Sequence, residues 1–387
     1  MWSNGCEADC QLRIANCRFE RSLHDGFQSA IGNRQLAIDN WISTMIRLLI
    51  VDDSVTQREI FRRLFMDDGA FTVVAEAATG EEAIRLVQTH IPDVVLMDIH
   101  MPGMGGIEAT REIMRVCPVP IVVASATLRK HDVDLAMQAL LAGAVSVIEK
   151  PQGAVLLHLQ KIAPQLRAEL VAASQAVVLR RSAPATHRAP VPVWARGAAR
   201  GRVEVIGIAT STGGPPVLLQ IFSALPKPFP LPILLVQHIS EGFVEGFARW
   251  LGEMTGHSVR LAADGAQLEP GIWLAPAGRH LALAPRTRIA LPSRGDSDIH
   301  CPSANVLFES LSRHAGSSSL GILLTGMGDD GARGLLALKQ AGGLTVIQDE
   351  ASALIWGMPK CAKELGAANQ ELSPAEIVRV MMQVGGI

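Results

Sequence analysis

Three carboxylates, a hydroxyl and a lysine stand at the ends of short apolar runs in the first 150 residues. Leu48-Leu49-Ile50-Val51 ends in Asp52-Asp53-Ser54, and Val94-Val95-Leu96-Met97 ends in Asp98. Ile121-Val122-Val123-Ala124 ends in Ser125, and Ser146-Val147-Ile148-Glu149 ends in Lys150. Runs of this length and composition read as buried strands of a parallel sheet. The carboxyl ends of such strands share one edge, where α/β proteins place their sites. Acids, a lysine and a hydroxyl on one edge suit a Mg²⁺ ion and a phosphoryl group. Asp98 is the expected phosphoacceptor. Asp52 and Asp53 are expected to hold the cation with it, Lys150 to lie over the phosphoryl group as a point charge, and Ser125 to hydrogen-bond one of its oxygens. Any one of these residues alone is more simply a turn residue or helix cap; their joint placement at four strand ends carries the reading.

A second set of reactive groups lies in the back half. Val203 to Ala209 is a strand that runs through Thr210-Ser211-Thr212-Gly213-Gly214-Pro215-Pro216 into the helical text Val217–Phe222. A serine on a strand-to-helix turn is exposed for attack, and the amides of the helix start can stabilise an oxyanion. The device is that of a nucleophile elbow, although Gly-x-Ser-x-Gly is absent. A dinucleotide cradle is the competing reading, but the full Gly-x-Gly-x-x-Gly pattern is missing. The strand Pro232–Val236 ends in Gln237-His238, a candidate general base. The strand Leu320–Thr325 leads into Gly326-Met327-Gly328-Asp329-Asp330-Gly331. Either aspartate could orient the histidine, and the pattern prefers neither. Cys301 has no strand-end base to pair with and reads as a buried or half-buried thiol.

The elements that would position these groups alternate strictly. In the front half, strand 47–51 is followed by an amphipathic helix from Val55 to Asp67, strand Phe71–Ala77, and a helix opened by Thr79 with acids in its first turn. Strand 93–97, a helix from Gly105-Gly106, strand 121–124, helix 131–141 and strand 145–148 complete five βα steps. The expected fold is two doubly wound, mainly parallel α/β domains joined by a flexible linker. Residues 45–163 form the first domain, 164–202 the linker and 203–387 the second domain. The linker carries prolines, alanines and arginines with no acid between Glu169 and Glu204. Residues 1–44 are mixed polar text without a signal-peptide core, read as a loosely structured extension or a misassigned start ahead of Met45.

Composition narrows the class. The chain has 387 residues, 48% hydrophobic content and a net charge of -2. That length suits two or three domains. The charge favours neither nucleic acid nor a membrane surface, and no apolar run reaches the roughly 20 residues of a membrane span. The six cysteines form neither a disulfide ladder nor a zinc motif, and Cys6, Cys10 and Cys17 lack further ligands. A reducing, cytoplasmic home is expected.

The front half resembles a two-component response-regulator receiver domain, which takes a phosphoryl group from a histidine kinase. The resemblance assigns the same roles to Asp52, Asp53, Asp98, Ser125 and Lys150, with Pro102 and Gly106 in the expected loop; Gly105 departs from a common aspartate. The back half resembles the chemotaxis protein-glutamate methylesterase domain, through Ser211-Thr212-Gly213-Gly214, Gln237-His238 and Thr325-Gly326-Met327-Gly328-Asp329-Asp330-Gly331, with Ala275–His280, Gln348–Ser352 and Trp356–Pro359 in support. It implies Ser211 as nucleophile, His238 as base and Asp330 as third member, with the Met327 backbone at the oxyanion and Thr212 beside it. It further implies glutamyl methyl-ester hydrolysis and glutamine deamidation on methyl-accepting chemoreceptors, a chemotaxis histidine kinase as phosphodonor, Mg²⁺ in the receiver, no cofactor at the esterase site, recruitment to receptor arrays, and an unphosphorylated receiver that covers the esterase. A monomer is expected. Thr210, Cys301 and Asn305 depart from the family's usual residues. The alternative is a receiver-controlled adaptor that binds partners with little esterase activity.

Overall fold

The computed structural model describes residues 45–66, 69–125, 130–150, 156–176, 202–296 and 298–387. The expected extension over 1–44, with Cys6, Cys10 and Cys17, lies outside them, as does most of the expected linker from 177 onward.

The front domain is one parallel sheet of β1 (Ile46–Val51), β2 (Phe71–Ala77), β3 (Val94–Asp98), β4 (Ile121–Ser125) and β5 (Ser146–Glu149), in the order β2-β1-β3-β4-β5. The helices α1 (Val55–Met66), α2 (Gly80–His90), α3 (Gly106–Val116) and α4 (Lys130–Ala142) connect them. The strands read as continuous apolar text because both faces are covered: Leu48 to Val51, Val94 to Met97 and Ile121 to Ala124 are buried throughout. Thr79 caps α2 by accepting from the Glu82 amide at 3.2 Å. A Cβ on Gly106 would lie 1.8 Å from the Asp98 carbonyl oxygen. Only glycine lets α3 start this close to the end of β3.

After β5 comes α5 (Leu156–Ser174). Regular structure therefore continues past residue 163, into the stretch expected as linker. The reason is burial: Leu166, Leu170 and Ala173 pack into the apolar cluster that holds Leu48, Ile50 and Leu96. Tertiary packing holds the segment helical in spite of Pro164.

The back domain is a seven-stranded parallel sheet, with β6 (Val205–Thr210), β7 (Pro232–Gln237), β8 (Val259–Leu261), β9 (Gly271–Leu274), β12 (Ser319–Leu323), β13 (Leu344–Gln348) and β14 (Gln370–Leu372). Their order is β14-β13-β12-β6-β7-β9-β8, and a separate antiparallel hairpin pairs β10 (Ala282–Ala284) with β11 (Arg288–Ala290). The covering helices are α6 (Gly214–Ala224), α7 (Val244–Thr255), α8 (Ala304–His314), α9 (Ala332–Gln340), α10 (Met358–Glu364) and α11 (Pro374–Gly385). From β6 the chain first builds outward through β7, then returns to the other side at β12. The crevice where the winding reverses therefore lies at the end of β6.

The two domains pack together. A Cβ on Gly246 of α7 would lie 2.1 Å from Val133 of α4, so the helices meet at a backbone surface. Arg249 reaches Asp134 at 3.9 Å beside this contact. One apolar cluster runs from Val95, Val123 and Val133 to Phe243, Phe247 and Leu218 without a break.

Candidate active site

In the front domain the acids, lysine and serine meet at one sheet edge. Lys150 Nζ lies 2.7 Å from Asp52 Oδ2 and 2.7 Å from Asp98 Oδ1. Asp52 and Asp98 are buried, whereas Asp53 is exposed. One carboxylate oxygen from each of Asp52, Asp53 and Asp98 lies within 4.8 Å of the others, a spread that a single Mg²⁺ with oxygen ligands can draw together. Burial pushes the Asp98 carboxyl up, against the pull of the Lys150 charge. The Ser125 hydroxyl is buried and has no hydrogen-bond partner among the described residues. A buried orphan hydroxyl beside this cluster fits an acceptor supplied from outside, such as a phosphoryl oxygen.

In the back domain three adjacent strands, β12, β6 and β7, deliver the reactive groups. Ser211 follows β6, and its amide donates to the Thr325 carbonyl at 3.0 Å. Gly213 turns the chain with φ of 81° so that α6 starts at once behind the serine. His238 follows β7, its amide donating to the Thr210 carbonyl at 3.0 Å. The Gln237 amide nitrogen donates to the carbonyls of both Ser211 and His238 at 2.9 Å, tying the two turns together. Thr210 has its own role here: its hydroxyl donates to the Thr325 carbonyl at 2.8 Å and braces β6 against β12.

His238 Nε2 lies 3.0 Å from Asp330 Oδ2, at ion-pair distance but outside hydrogen-bond alignment. Such contacts are often poorly aligned before substrate is bound. Asp330 is buried and Asp329 is exposed, so of the two only Asp330 turns to the histidine. The start of α8 clamps the same carboxylate: Ser303 Oγ donates at 2.8 Å, the Ala304 amide at 2.7 Å and the Asn305 amide at 3.0 Å. Burial would raise the Asp330 carboxyl. The His238 contact and charge and the two amides outweigh it and hold the group well below the usual carboxylate range. Asn305 also turns its side-chain oxygen to the Gly334 amide at 2.8 Å, which ties α8 to α9. His300 stacks on His238, with ring centroids 4.8 Å apart and planes 9° from parallel.

Ser211, Thr212, Gln237 and His238 line one side of a narrow cleft. The other side is the front domain: Leu140, Val145, Ser146, Val147 and Glu169. The space between them is about 20 Å³, room for about one water. Met327 packs against the α5 cluster rather than facing open solvent. Cys301 is half-buried, and burial pushes its thiol up, away from the reactive thiolate.

Residue order alone did not suggest the roles of Gln237, His300, Ser303 and Glu169. Ser303 was detectable as a residue opening an apolar helical run. His300 carries no local signal, and Glu169 fell in text read as linker.

The chain matches two family models, CheB methylesterase over residues 206–381 and response regulator receiver domain over residues 48–160. It is similar to protein-glutamate methylesterase/protein-glutamine glutaminase 3 of Myxococcus xanthus, 38% identical over 340 residues that cover 87% of this chain and 93% of the relative. It is 42% identical to number 4 of the same organism over 317 residues, covering 81% and 90%. The crystal structure of the Thermotoga maritima CheB methylesterase catalytic domain matches 48% of this chain and all of that domain, at 31% identity and a TM-score of 0.45.

Proposed function

Since the chain belongs to the CheB family, with a response-regulator receiver ahead of a methylesterase domain, and methylesterase/glutaminase activity in general follows from that membership, we propose that it hydrolyses glutamyl γ-methyl esters on chemoreceptors through Ser211, His238 and Asp330. The observation that carries the mechanism is the 3.0 Å approach of His238 Nε2 to buried Asp330, beside Ser211 in one cleft. With Nε2 facing the carboxylate at ion-pair distance, Nδ1 is the nitrogen left to take the serine proton.

Ser211 Oγ attacks the γ-carbonyl carbon and passes its proton to His238. The amides at the start of α6 and near Met327 hold the oxyanion. The C–O bond to the methoxy group breaks, and methanol leaves with the proton returned by His238. A water, deprotonated by His238, then cleaves the acyl-enzyme, releasing glutamate and restoring the serine hydroxyl. A receptor glutamine follows the same path with ammonia as leaving group.

Control is assigned to the front domain. A histidine kinase would supply the phosphoryl group to Asp98, and Asp52, Asp53 and Asp98 would hold the Mg²⁺ ion that the transfer needs. The ion would neutralise the incoming phosphoryl oxygens, and Ser125 and Lys150 would bind them. The closed cleft supports a resting state in which the front domain covers the esterase. None of the described helices is long and apolar enough to cross a membrane. The test is methanol release from methylated receptor: wild type should release it, and Ser211→Ala should not. Equal release by both would reject the nucleophile.

A further inference from the structure

One titratable side chain in the cleft has no part in the chemistry above. Glu169 sits on α5, the helix that leaves the receiver, and its carboxyl projects across the domain boundary. Thr212 Oγ1 donates to Glu169 Oε2 at 3.4 Å, from the residue directly after the nucleophile. Glu169 lines the same cleft as Ser211 and His238. Burial pushes its carboxyl up, while hydrogen bonds from Ser146 and Thr212 and the nearby His238 pull it the other way. A carboxyl brought into this desolvated place without a full salt bridge is costly as simple glue between domains. Its chemistry has a closer parallel. The product of the proposed reaction is a glutamate borne on a receptor helix, and Glu169 is a glutamate borne on a helix.

We propose that Glu169 is an internal product analogue, its carboxyl taking the place of the receptor glutamyl group beside Ser211 and Thr212 while the domains are docked. The inference rests on the esterase reading above. It goes beyond steric covering, because it gives one side chain the acyl subsite. Thr212 is then the group that meets the glutamyl end of substrate once Glu169 withdraws.

The full chain tests this with two variants. Glu169→Ala should raise methanol release several-fold without phosphodonor and leave the phosphorylated rate unchanged. Glu169→Gln places an amide where the enzyme would cleave one. Ser211 Oγ should attack the carbonyl carbon of that introduced amide, ammonia should leave with a proton from His238, and water should release glutamate and regenerate the serine. Peptide mass spectrometry should therefore find residue 169 converted from glutamine to glutamate, and still glutamine when Ser211→Ala is combined with it. An unphosphorylated Glu169→Ala rate equal to wild type overturns the proposal. So does an introduced amide that stays intact in Glu169→Gln while the same protein deamidates receptor. Phosphorylated wild type that releases no methanol at all sinks the esterase reading itself, and the inference with it.

Discussion

His300 lies flat on His238, ring against ring at 4.8 Å and 9° from parallel. Partial desolvation, then the neighbouring His238, lowers the His300 imidazole from its ordinary pKa, which favours its neutral form. A neutral ring fixes the plane of the base without adding a repelling charge when His238 takes a proton. Stacked aromatic pairs contribute about 0.5–1.5 kcal/mol. His300→Ala should therefore lower kcat by roughly two- to tenfold, the same energy expressed as a rate, with little change in KM. Steady-state methanol release reads this directly, and an effect confined to KM would place His300 in substrate binding instead.

Asp330 is buried against His238, and Asp329 faces solvent. Asp330→Asn should cost about 10³–10⁴ in kcat, the scale of losing the partner that sets a catalytic imidazole's tautomer. Asp329→Asn should stay close to wild type. Side-by-side rates settle the assignment, and the reverse ranking would overturn it.

The same carboxylate contributes to stability. Burial opposes its charge, but His238 and the amides of Ala304 and Asn305 more than compensate, and its folded pKa falls below the unfolded value. A depressed carboxylate stabilises the fold fully above its unfolded pKa of about 3.9, and that contribution is lost as pH falls below it. The Tm gap between wild type and Asp330→Asn should thus narrow in acid. A gap that stays constant from neutral pH down through the carboxylate range would contradict the linkage.

Gly246 meets Val133 across the domain boundary with no room for a methyl group. In an exposed helix, Gly→Ala would favour the helix by about 1 kcal/mol, so the substitution should not unfold α7. It should instead push α4 away and open the cleft. Gly246→Ala is expected to raise esterase activity without phosphodonor while the Tm of the back domain holds. An unchanged basal rate would show that docking does not limit access.

Lys150 bridges Asp52 and Asp98 at 2.7 Å to each, leaving Asp98 accessible to chemistry only within this charged cluster. A small-molecule phosphodonor with Mg²⁺ should raise activity of the wild-type chain. Asp98→Asn should keep the basal rate and lose the response. Equal stimulation of both would place the acceptor elsewhere.

Much of this protein could be read from residue order alone. Apolar runs ending in Asp52, Asp98, Ser125 and Lys150 announced one sheet edge, because parallel strands align their carboxyl ends whatever their side chains. The same rule brought Ser211, His238 and the Asp329-Asp330 pair to a second edge. Local pattern could not go further, since it records which face a residue occupies and not what lies across from it. The choice of Asp330 depends on a backbone turn, and its clamp comes from the start of α8, 25 to 27 residues earlier in the chain. Glu169 meets Thr212 across 43 residues and two domains. Its helix holds because Leu166 and Leu170 found a receiver face to bury against. Which groups could react was written in the chain; which of them face one another was decided by packing between distant segments.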